Sequence, residues 1–177
     1  RKYQTQNIYE GCRMVKEGSI IVTLDFDDWF PHENVLKILD SHYNDNVWMT
    51  YGSYQKTGDG STTSFGRYPD DIVQENKFRE VDWRATHLRT FRKELSLKIK
   101  EEDFKDNDGN WITVAGDLVF MWPMLEMSGE KFIHIEEPLY VYNEGNEMSE
   151  YRTSVPLILE SEKMVRNRKP YERLKSL

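Results

Sequence analysis

The chain has 177 residues, a net charge of −7, 38% apolar and 13% aromatic residues, which fits one domain with a substantial core and excludes a disordered chain. The acidic balance, with no basic block, argues against nucleic-acid binding through phosphates, and the single cysteine, Cys12, excludes an internal disulfide framework and a cysteine zinc site. The longest apolar run, Leu118–Leu125, falls far short of the roughly 20 residues that cross a bilayer, no signal peptide is visible, and the expectation is a cytoplasmic protein without a transmembrane segment.

Residues 3–17 place Ile8, Cys12 and Val15 on one helical face, with Gly18 just past its end. Ser19–Leu24 is β-branched and continuous, the pattern of a strand buried on both faces of a parallel sheet. Val35, Leu36, Leu39 and Tyr43 predict a second helix with Pro31 and Glu33 in its first turn. Val47–Tyr51 predicts a second strand, stopped at Gly52. Strand, helix and strand in that order predict an α/β fold with a right-handed crossover. Asp25, Asp27 and Asp28 then lie at the carboxyl end of the first strand, where open α/β sheets bind ligands.

Residues 53–82 read as a surface loop with one short helix. Leu88, Phe91, Leu95 and Ile99 predict a helix face, and Asn107-Asp108-Gly109 a tight turn. A helix is expected over 116–129, bent by Pro123. Phe132–Ile135 and Leu139–Tyr142 predict a strand pair about Glu136-Glu137-Pro138. Residues 154–168 predict a polar amphipathic helix, and the charged tail from Lys169 reads as loose.

The acidic cluster is the most informative feature. Three crowded carboxylates repel one another and call for a positive partner. A hard divalent cation, Mg²⁺ or Mn²⁺, takes such oxygens and shares them with phosphates; a solvated loop is the plain alternative. Two metal-site readings fit Asp-x-Asp after an apolar strand. One is a phosphatase of the haloacid-dehalogenase type with Asp25 as nucleophile, although Trp29 stands where those enzymes normally carry Thr or Val.

The other rests on a resemblance. GSIIVTLDFDDWFPHENVL resembles the D-x-D-D-W-(L/F)-P segment of inverting GT-A glycosyltransferases, most closely glycosyltransferase family 2. WRATHLRTFRKEL is similar to an acceptor-side region of one branch of that family. AGDLVFMWPMLEMSGEKFIHIEEPLYVYN is similar to its catalytic-base helix and L-Y-x-Y strand. The resemblance implies a GT-A (Rossmann-like) domain over residues 1–150, with a mixed, mostly parallel sheet flanked by helices, and a helix with a linker-like tail over 151–177. Only residues 1–24 precede Asp25, so the amino-terminal part of the nucleotide-binding half is expected to be missing and the chain to belong to a longer one.

The implied activity moves a sugar from a nucleotide-sugar, expected to be UDP-linked, to a hydroxyl of a carbohydrate acceptor, with inversion. The implied roles are residue by residue. Asp25 contacts the ribose or donor sugar and helps to hold the metal. Asp27 coordinates the Mn²⁺ or Mg²⁺ that bridges the diphosphate, and Asp28 shapes the site. Asp117, in Gly116-Asp117 where Glu-Asp is usual, is the general base. Beside these implied roles, the residues themselves offer His87 as a contact to the donor phosphates or to the acceptor, and Arg89 as a partner for phosphate. Members often carry a His soon after the L-Y-x-Y strand, where this chain has Asn143 and Asn146. A non-catalytic sugar- or nucleotide-binding domain of the same fold is the alternative outside catalysis.

Each residue also has a plainer reading. Asp117 suits a helix N-terminus, His87 a structural hydrogen bond and Arg89 a surface ion pair. Trp29, Trp83, Trp111 and Trp122 suit a core as well as a sugar platform. Glu126 reads as remote from the Asp117 pocket. DFKDNDGNW fails as a calcium loop, because aligning Gly109 puts Phe104 and Ala115 at the first and twelfth ligand positions. Cys12 reads as a small buried hydrophobe.

Overall fold

A computed structural model describes residues 2–147 and 154–177. The expected domain boundary between residues 150 and 151 lies outside the described residues. The fold is α/β, a mixed five-stranded sheet flanked by helices. Helix α1 (Gln4–Met14) buries Thr5 and Cys12. It ends at an extended Val15, so Gly18, with φ 75°, serves the turn into the sheet rather than the helix end. Strand β1 is Ile20–Thr23, α2 is Val35–His42, β2 is Met49–Lys56 and β3 is Thr62–Thr63. Helix α3 (Asp70–Glu75), β4 (Arg89–Arg92) and α4 (Lys93–Ser96) follow. A 3₁₀ turn at Glu101–Phe104 leads to α5 (Gly116–Ser128), β5 (Phe132–Tyr142) and α6 (Val155–Arg166).

Several expectations change. The spacing of Leu88, Phe91, Leu95 and Ile99 suggests one helix, but the chain forms β4 and then α4, and all four side chains are buried all the same. Strand β4 lies between β1 and β2 and pairs antiparallel with both. Its backbone groups are thereby satisfied from two sides, which a helix there would leave to two open strand edges. It follows that β1 and β2 run parallel without touching, and that β1 pairs among the described residues only with β4. Ser19–Leu24 is therefore not the doubly buried parallel strand of its sequence pattern: Ile20–Thr23 is half-buried throughout. The sheet is mixed but not mostly parallel, since β2–β5 is the parallel pairing and β1–β4, β2–β3 and β2–β4 are antiparallel.

Strand β2 does not stop at Gly52. A Cβ there would lie 3.1 Å from the Ile135 carbonyl oxygen and 3.3 Å from the His87 oxygen and the Leu88 nitrogen, so glycine permits close backbone approach inside the strand. The segment read as a loop continues β2 to Lys56 and returns as β3. Strand β5 is one strand rather than a pair. Ile135 pairs with Gly52 and Pro138 with Ser53, so Glu136 and Glu137 bulge out of the ladder.

Alternation along β5 separates two cores. Phe132 joins Met49, Tyr51, Phe91 and the residues of α1, α4 and α5, while Ile135 joins Val35 and Leu39 of α2. In α2, Leu36 is 56% exposed, and Pro31 and Glu33 precede the helix. Helix α5 is buried all round from Leu118 to Ser128, as a helix through the middle of a core must be, and it contains Pro123.

The tail is not loose. Tyr171, Leu174 and Leu177 pack on the larger core, and the Leu174 amide donates to the Met127 carbonyl at 2.9 Å. Beneath it, Arg79 and Glu126 form a fully buried pair, with Nε to Oε1 at 2.5 Å and Nη2 to Oε2 at 2.9 Å. Asp106 Oδ1 accepts the amides of Asp108 and Asn110, which is the expected turn. Cys12 is buried, and Trp122 is a core residue. Among the described residues no helix is long and apolar enough to cross a membrane.

Candidate functional site

The end of β1 feeds a tight turn, in which the Asp28 amide donates to the Asp25 carbonyl at 3.1 Å. The three carboxylates of this turn meet three different surroundings.

Asp28 is 8% exposed. Its Oδ2 accepts the Tyr140 hydroxyl at 2.5 Å and its Oδ1 the Asn143 amide at 2.8 Å. Burial raises its pKa against those two donors, and the neighbouring Asp27 and Asp25 charges push the same way as burial. With both oxygens engaged, Asp28 fixes the turn to the end of β5. Trp29 adds to this: its backbone exchanges hydrogen bonds with Val141, at 2.9 and 3.4 Å, while the residue is 47% exposed.

Asp27 lies at the turn itself, and its Oδ2 accepts the Asn146 side-chain amide. Asp25 sits where three segments meet. Its Oδ1 accepts the Gln4 amide at 3.3 Å, and its Oδ2 is 3.5 Å from His87 Nε2. Burial works to raise the Asp25 carboxyl, but His87, Arg89 and Gln4 together hold it below the usual aspartate value. The Asp25 amide donates to the Tyr140 hydroxyl at 3.3 Å. Tyr140 is thus wired to two of the three aspartates.

His87 stacks on the Tyr140 ring with centroids 4.4 Å apart. Its Nδ1 is buried with no hydrogen-bond partner among the described residues. Burial and the nearby Arg89 charge lower its pKa against the opposing pull of Asp25.

Arg89 is 4% exposed rather than on the surface. Its Nε donates to the Ala85 carbonyl at 3.0 Å, and its Nη2 donates to Asp117 Oδ2 at 2.8 Å. Asp117 stands in the first turn of α5, after Ala115, whose φ of 53° is left-handed. Such a conformation costs a non-glycine residue about 1–2 kcal/mol and is held by the packing on either side. A Cβ on Gly116 would come 2.5 Å from Gln4 Oε1 and 3.2 Å from Thr5 Cγ2. The helix α1 that supplies Gln4 to Asp25 therefore also abuts the start of α5.

Asp25–His87 and Arg89–Asp117 are thus two pairs joined by the short segment from His87 to Arg89, and the Arg89 charge acts on both Asp25 and His87; Asp27 and Asp28 lie on the adjoining turn. Two members were missed in the sequence. Gln4 carries no chemical signature, whereas Tyr140 is the first tyrosine of the L-Y-x-Y strand and was open to assignment. Glu126 lies in the Arg79 pair, remote from this group. A groove of about 580 Å³ runs between the 3₁₀ turn and the tail, lined by Lys100, Asp103, Lys105, Arg168, Tyr171 and Glu172 among others. None of the expected site residues lines it. Among the described residues, no group of three or more His, Cys, Asp and Glu side chains is arranged to hold a metal ion unaided. No family model matches the chain, and no curated protein is significantly similar to it.

Proposed function

We propose that this chain is a metal-dependent, inverting glycosyltransferase domain with a Rossmann-like GT-A fold, which moves a sugar from a nucleotide-sugar, UDP-linked by preference, to a carbohydrate hydroxyl. The observation that carries the reading is the convergence just described. Three sequence segments that separately resemble the family's donor, acceptor and base regions meet at Asp25, His87, Arg89 and Asp117. Asn146, near the position where members often carry a His, reaches Asp27.

The donor set fits a cation of limited protein ligation. Mg²⁺ and Mn²⁺ in phosphate-transfer sites take one or two carboxylates, with phosphate oxygens and waters filling the sphere. Asp27 on the turn would hold such an ion and Asp25, whose contacts with Gln4 and His87 are long at 3.3 and 3.5 Å, would assist, while Asp28 is held closely by Tyr140 and Asn143 at 2.5 and 2.8 Å. When bound, the ion neutralises charge developing on the nucleoside diphosphate leaving group. Asp117 takes the proton of the acceptor hydroxyl. The freed oxygen forms a bond to the anomeric carbon from the face opposite the diphosphate. The carbon–oxygen bond to the diphosphate breaks, and the electron pair leaves with it.

Isothermal titration of UDP, with and without Mn²⁺, tests the donor half of the reading. Metal-dependent binding in the wild type that disappears in Asp27→Ala is expected. Absence of binding under both conditions overturns the donor assignment. Turnover across a panel of UDP-sugars, retained in Asp117→Asn, would reject Asp117 as the base.

A further inference from the structure

We propose that Arg89 is the positioning residue of the base rather than a ligand of the donor phosphates; the inference rests on the transferase reading. Its guanidinium is clamped at two points. Nε is tied to the Ala85 carbonyl at 3.0 Å, and Nη2 caps Asp117 Oδ2 at 2.8 Å. The Arg89 side chain is 5% exposed and that of Asp117 24%. An arginine meant for a diphosphate would present its fork to the solvent face of the site. Here the fork is turned inward, and the accessible group of the pair is the carboxylate.

The consequence is geometric. One oxygen of Asp117 is fixed, so its other oxygen, Oδ1, is the one aimed at the acceptor. Its orientation is set by strand β4 and not by the flexibility of the aspartate side chain. The strand in question is the same one that leads out of His87, the neighbour of Asp25. Donor side and base side are therefore indexed to one another through two residues of one segment. Catalysis depends on such indexing, because a misplacement of about 1 Å costs on the order of 100-fold in rate. Lysine cannot replace this function fully, since its three donors sit on one nitrogen and cannot reproduce the rigid planar fork that reaches Ala85 from Nε and Asp117 from Nη2.

The test combines kinetics with folding. Arg89→Gln and Arg89→Lys are compared with wild type for UDP affinity with Mn²⁺, for kcat and for donor KM. The expected result is UDP affinity within about twofold of wild type, a kcat lower by about 10- to 100-fold in Arg89→Gln, and a smaller loss in Arg89→Lys. A variant that loses UDP affinity and keeps kcat overturns the proposal and makes Arg89 a phosphate ligand. A double-mutant cycle of Arg89→Gln with Asp117→Asn, read by urea unfolding, gives a readout independent of turnover. About tenfold or greater non-additivity in the folding equilibrium is expected for a direct pair. Strict additivity removes the coupling while leaving the transferase reading intact. A wild-type chain that binds no UDP and turns over no sugar donor ends that reading, and this role with it.

Discussion

Replacing Glu126 by Gln changes one atom pair in the deepest polar contact of the fold. Glu126 is 0% exposed and Arg79 is 5% exposed. Oε1 accepts from Arg79 Nε, while Oε2 accepts from both Arg79 Nη2 and the Tyr171 amide at 2.9 Å. Every position around the carboxylate is therefore a donor. A glutamine amide must turn its NH₂ toward one of them, whichever way it is flipped, and leave the guanidinium uncompensated. Removing one partner of a buried pair costs about 3–5 kcal/mol, a large share of the roughly 5–15 kcal/mol that holds a domain together. For a chain of this size each kcal/mol moves the melting temperature by about 2–4 °C, so a fall of about 6–20 °C is expected. Urea unfolding followed by tryptophan fluorescence is the assay, and an unchanged m-value shows that stability alone has moved. The double variant Arg79→Met with Glu126→Met removes both charges. It regains only part of the loss, because the Tyr171 amide, which donates to Glu126 Oε2 at 2.9 Å, then loses its acceptor. A Glu126→Gln loss below about 1 kcal/mol would refute the reasoning, since a buried charge cannot be unpaired so cheaply.

Two further predictions follow from the sheet. Tyr140→Phe removes the donor to Asp28 Oδ2 and the acceptor of the Asp25 amide; a loss of about 1.5–3 kcal/mol in urea unfolding is expected, with weaker Mn²⁺-dependent UDP binding by titration, and no change in either measurement means that Tyr140 does not hold the turn. Gly52→Ala places a methyl group against the backbone of Ile135, His87 and Leu88, atoms that cannot swing aside, and a thermal melt should register about 1–3 kcal/mol of destabilisation; a wild-type melting temperature would show that β2 and β5 separate without cost.

The candidate residues are easier to pick out of the sequence than the sheet is. Asp25, Asp27, Asp28, His87, Arg89 and Asp117 stand out because their chemistry is unusual for their local setting, and the fold brings them to one place. Helix α5 was legible from its apolar run, and α1 from its spacing. Strand β4 was not, because Leu88, Phe91, Leu95 and Ile99 satisfy a helical period and also satisfy burial as a strand followed by one helical turn. Only the partners on either side decide between the two, and those partners are distant in sequence. For the same reason Ile20–Thr23 read as a central strand: apolar composition reports burial, not which edge is paired. The charge of the tail hides its packing. Tyr171, Leu174 and Leu177 sit among lysines and arginines, and Arg173 turns its guanidinium back to the Val73 and Gln74 carbonyls. The role of Gln4 depends wholly on where α1 docks.

Helix α5 has two employers. Its first turn carries Asp117, and its far half carries Glu126 and Met127, on which the last residues of the chain are fastened. The acidic turn, by contrast, is fastened to β5 through Tyr140 and Asn143. Damage to the carboxyl terminus therefore travels along α5 to one half of the site and bypasses the other. On the transferase reading proposed above, a chain shortened before Tyr171 is expected to keep UDP binding and lose turnover, so slow turnover with intact binding would be the mark of a lost tail rather than of a lost ligand.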